Sequence, residues 1–92
     1  SMDKVLEKAK ELRSEIEKTA EFQEYLKNKE LLENNGDVIE LKHNIANLRV
    51  RGKLEEAKNL EKLYNGHPLV NNYEASKEAL YQLLKTIESI IK

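Results

Sequence analysis

Two histidines and fifteen glutamates are the residues of this 92-residue chain with the most chemical potential. Glu40 and His43 stand in the Glu-x-x-His spacing by which helical bundles hold a di-metal centre, and that spacing puts both side chains on one helix face. A complete centre takes two such motifs and further carboxylates. The other histidine, His67, sits beside Pro68 with no Glu at the required offset, so it reads as a turn or cap residue. Glu7 with Glu11, Glu17 with Glu21 and Glu74 with Glu78 share faces at i, i+4, where carboxylates among lysines ordinarily form a solvated surface. Ser14, Ser76 and Ser89 lack the sharp strand-to-helix turn of a nucleophile motif, and no Gly-rich phosphate loop is present. The expectation is no catalytic residue, no metal site and no cofactor. Without cysteine, thiolate catalysis, disulfides and cysteine-held zinc or iron–sulfur clusters also drop out.

A second chemistry is phosphate binding. Lys42, Arg49, Arg51 and Lys53 cluster around Gly52, and such a patch can neutralise nucleic-acid phosphates in a salt-sensitive way. No stacking aromatic residue lies nearby and Lys plus Arg (16) nearly balances Asp plus Glu (17). A solvated face is therefore the ordinary reading, and a small RNA- or DNA-binding module is the alternative function.

The elements that carry these residues read as helices. With 36% charged residues, one Pro and three Gly, the composition is that of a helical protein with few loops. Val5, Ala9, Leu12 and Ile16 form an amphipathic stripe. At "KTAEF", Thr19 suits an N-cap, and Phe22, Tyr25, Leu26 and Leu32 carry a second helix, either after a full break or a kink. In "ENNGD", Gly36 is expected to close a helix in the left-handed conformation, with Asp37 as the next N-cap and Glu40 as its capping partner. Val38, Leu41, Ile45 and Leu48 make the inner stripe of the third helix, while Ile39, Ala46 and Val50 form a second, weaker apolar face. Gly52 marks a kink or short break before Ala57, Leu60, Leu63 and Tyr64. Gly66 stops that segment and Pro68 opens the last helix, whose core face is Leu69, Tyr73, Leu80, Leu83, Leu84, Ile87, Ile90 and Ile91. Val70 and Tyr81 lie off that face on one shoulder.

The expected architecture is all-α: an up-and-down bundle of about four helices with a long C-terminal helix. Ser1 ahead of Met2 reads as a vector-derived scar and Met2 as the start, so Ser1 is set aside and 3–92 read as a single helical domain. A chain this short buries only about 60% of its unfolded surface, which points to a homo-oligomer, a dimer first. Ile39, Val50, Val70 and Tyr81 are the candidate interaction surface. No apolar run reaches the roughly 20 residues of a membrane span and no signal peptide is visible, in keeping with a cytoplasmic location.

The order "AKELRSEIEKTAEFQEYL", "LLENNGDVIELKHNI", "LYNGHPLVNNYEASKEALYQLLKTIESII" resembles the YlbF/YmcA (YheA-like) family of small helical bacterial proteins over nearly the whole chain. The resemblance implies self-association and a non-enzymatic regulatory adaptor, working with related helical proteins or a ribonuclease complex in control of mRNA processing, competence or biofilm formation. Family members that carry iron–sulfur clusters do so through cysteines. This chain has none, so cluster binding is not carried over.

Overall fold

A computed structural model describes residues 1–92. The chain is all-α, with five helices: α1 (Met2–Glu17), α2 (Ala20–Glu33), α3 (Gly36–Val50), α4 (Leu54–Asn65) and α5 (Pro68–Ile91). The helical bundle with a long last helix is therefore present, divided into five where about four helices were expected, because both uncertain breaks are real. At the first, the Thr19 hydroxyl donates to the Ile16 carbonyl at 2.6 Å and accepts from the Phe22 amide at 3.2 Å. One side chain thus closes α1 and caps α2. At the second, Gly52 takes a φ of 74°, with its amide donating to the Arg49 carbonyl and the Lys53 amide to the Leu48 carbonyl. These two bonds make a Schellman ending, which favours a residue without Cβ.

The α2–α3 turn is built differently from expectation. Asn35, not Asp37, is the N-cap, its side-chain oxygen accepting from the Val38 amide at 3.0 Å. Gly36 is already the first residue of α3 and has no positive φ. Asn35 can reach the third helical amide from there, leaving Asp37 inside the first turn, where its charge suits the helix dipole. At the last turn, His67 Nδ1 accepts from the Leu69 amide at 3.1 Å and Pro68 follows in the first turn of α5.

Packing joins the helices in two pairs. Antiparallel α2 and α5 meet through Tyr25 with Tyr73 and through the Asn28 amide, which donates to the Asn72 carbonyl at 3.4 Å. α3 and α4 form a hairpin around Ile45 and Ala57, both buried. The two pairs sit end to end, and where they meet Leu32, Val38 and Val70 are buried together, with Tyr64, Leu69 and Tyr73 packed against them. The molecule is 57 × 24 × 20 Å. At 1.5 Å per residue, α5 and α3 laid in line would span about 58 Å, in agreement with that length. α1 approaches only α2, and no Cα of α1 lies within 8 Å of one in α5. No helix is long and apolar enough to cross a membrane.

Candidate interaction surface

The α3 stripe explains why Ile39 and Val50 are left outside. Val38, Leu41, Ile45 and Leu48 turn towards α4 and the junction, buried or half-buried, so residues on the second face have no helix to meet. Ile39 is exposed beside the junction, and Val50, in the last turn of α3, is 88% exposed. Tyr81 is exposed on α5, its ring 5.9 Å from Lys85 Nζ. It borders a shallow groove of about 370 Å³ with Tyr25, Leu80 and Leu84.

Val70 is a correction. Read as a shoulder residue, it is 4% exposed and belongs to the junction core with Leu32 and Val38. The N-terminal turn of α5 meets the ends of α2 and α3 as well as the side of α2, so burial there spreads around the helix beyond the stripe that serves the rest of α5. The remaining three do not form one patch. Ile39 and Val50 are on α3, and no Cα of α3 lies within 8 Å of α5, where Tyr81 stands.

Three residues of the expected α5 core face, Leu84, Ile90 and Ile91, are exposed, and so are Leu63 on α4, Leu26 on α2 and Met2, Val5, Leu6 and Leu12 on α1. In their place the α2–α5 contact buries two polar residues, Asn28 and Ser76. Ser76 Oγ donates to the Tyr73 carbonyl at 2.9 Å, satisfying itself within its own helix. Periodicity of apolar residues carries no signal for either.

The four cations fall into two settings. Lys42 and Arg49 line a groove of about 440 Å³ between α3 and α4, and Arg49 is bound to the Glu61 carboxylate, with Nε 3.0 Å from Oε1. Arg51 and Lys53 lie exposed at the hairpin tip with no carboxylate within 4.0 Å. Glu55 and Glu56 follow immediately in the first turn of α4, so the field at the tip is mixed in sign. Glu40 and His43 are both exposed on α3, and no three His, Asp or Glu side chains are gathered where they could hold a metal ion.

Four of the five helices open on a side-chain cap, from Ser1, Thr19, Asn35 and His67, and α5 is entered through Gly-His-Pro. Neither a curated protein nor a solved structure matches the chain. A family model described as control of competence regulator ComK, YlbF/YmcA, matches residues 5–92. The chain thus belongs to the YlbF/YmcA family, whose description is one of regulation.

Proposed function

We propose that this protein is a non-enzymatic regulatory adaptor of the bacterial cytoplasm that acts through helix-mediated protein contacts and works as a homo-oligomer, a dimer first. One observation carries the reading: only seven of 92 residues are buried, while fourteen large apolar side chains stand exposed. A scatter of exposed apolar groups is ordinary. Here they extend along whole helix faces, the pattern left when a bundle is completed by other chains. Ile39, Val50 and Tyr81 are the contact residues of this reading, and related helical proteins or a ribonuclease complex are its partners, in control of mRNA processing, competence or biofilm formation.

The test is affinity capture of the tagged chain from its host's lysate, with and without nuclease, followed by mass spectrometry. Nuclease-resistant recovery of helical relatives or ribonuclease components is the expected result. Recovery that collapses on nuclease treatment would transfer the function to Lys42, Arg49, Arg51 and Lys53 as a nucleic-acid contact.

A further inference from the structure

The apolar residues of α1, Met2, Val5, Ala9, Leu12 and Ile16, recur at intervals of three, four, three and four, the seven-residue repeat of a coiled-coil seam. Yet no residue of α1 is buried, and exposure climbs along the stripe from 37% at Leu12 through 63% at Val5 to 71% at Met2. With successive side chains about 100° apart, Lys4, Lys8, Glu11 and Glu15 flank the stripe on one side. Lys10, Arg13 and Glu17 flank it on the other. One flank is thus split by sign along its length, lysines first and glutamates after.

We infer that the seam of α1 docks on α1 of a second copy, antiparallel about a two-fold axis. The inference rests on the self-association in the function proposed above and names its face. The chain exposes 7165 Å², whereas a compact monomer of its 10.7 kDa would expose about 5,500 Å². The surplus, roughly 1,650 Å², is more than the ~800 Å² per partner of a standard interface. Charge then selects the occupant and its direction. In an antiparallel two-fold pair each flank lies against the same flank of its copy, so Lys4 and Lys8 of one copy face Glu15 and Glu11 of the other. A parallel pair would instead set Lys4 and Lys8 against the flank of Lys10 and Arg13. The axis passes near Ala9, whose small side chain lets the two backbones approach. The Lys8–Glu11 ion pair within one α1, 3.1 Å long and exposed, is replaced at little cost by its intermolecular equivalent.

Sedimentation equilibrium of the full chain at low salt tests this with two variants, Lys4→Glu with Lys8→Glu and Glu11→Lys with Glu15→Lys, each checked for helix content by circular dichroism. The wild type is expected at twice the chain mass, and each variant alone at about a tenfold weaker dimerisation constant, since like charges then meet along the flank. An equimolar mixture of the two variants is expected to recover the wild-type association, because an all-Glu flank meets an all-Lys one. A dimer indifferent to both reversals overturns the α1 assignment while self-association stands. Variants that weaken but do not rescue each other overturn the antiparallel two-fold. A monomeric wild type overturns the inference and self-association together, leaving the adaptor role to be decided by capture.

Discussion

The Tyr25 ring of α2 and the Tyr73 ring of α5 stand 5.7 Å apart between centroids, tilted by 35°. That separation is within the range in which aromatic pairs add about 0.5–1.5 kcal/mol beyond their area burial. Hydrogen bonding to Tyr25 is the first cause that holds the Tyr73 phenol above its usual value, followed by burial and by the negative charge of ionised Tyr25, Glu74 and Glu33. The fold therefore favours the protonated phenol. Its contribution to stability is complete below the ordinary tyrosine value of about 10 and is lost as pH rises through the raised value of Tyr73. Tyr25→Phe keeps the ring and removes the hydroxyl, so Tyr73 is expected to ionise at lower pH in an ultraviolet titration. An unmoved Tyr73 would contradict the assignment.

Two valines separate the junction core from the outer faces. Val70 is packed with Leu32 and Val38, while Val50 stands in solvent. Val70→Ala is expected to lower unfolding free energy by about 1.5–3 kcal/mol, the loss of two buried methyl groups and a partly collapsed cavity. Val50→Ala should stay within about 0.5 kcal/mol. Urea unfolding at matched protein concentration measures both, and equal effects would mean that the end-to-end junction is not a core.

The helices were legible in the sequence because caps and periodicity are local. Thr19, Pro68 and the Val38–Leu41–Ile45–Leu48 stripe each act through residues three or four positions away, and each is where that logic puts it. The fate of Val70 was not legible, since it depends on α2 ending where both α3 and α5 begin, a meeting of segments more than 30 residues apart in sequence. Asn28 was missed for a related reason: its burial follows from a carbonyl of α5 at Asn72, and an isolated Asn in a helix gives no hint of a distant acceptor. The α1 and α5 stripes were read correctly as amphipathic, but a stripe does not say whether its cover comes from the same chain.

Gly52 and Gly36 should respond in opposite directions to alanine. A Cβ at either meets nothing within 4 Å, so backbone conformation alone decides. At Gly52, with φ of 74°, an L-residue is strained, and Gly52→Ala is expected to cost on the order of 1–2 kcal/mol. Gly36 is in the first turn of α3, where alanine reduces the freedom of the unfolded chain and adds up to about 1 kcal/mol. Thermal melts of the two variants at one concentration compare them directly, and a loss at both positions would count against the α2–α3 turn described here.

The Arg49–Glu61 pair crosses from α3 to α4 between side chains that are 57% and 34% exposed. Solvent and salt screen such a pair, so a double-mutant cycle with Arg49→Gln and Glu61→Gln is expected to give a coupling of only about 0.2–1 kcal/mol. Its more informative consequence concerns the cationic groove. Glu61→Gln releases Arg49 beside Lys42 and raises the net charge of the hairpin without removing apolar packing. Under the adaptor reading the variant gains no affinity for single-stranded RNA, because the neighbourhood offers cations and no aromatic platform other than Tyr64. A clear gain in binding that weakens steeply with added salt would show that Glu61 had been masking a phosphate contact, and would make the groove between α3 and α4 the functional surface in place of the exposed helix faces.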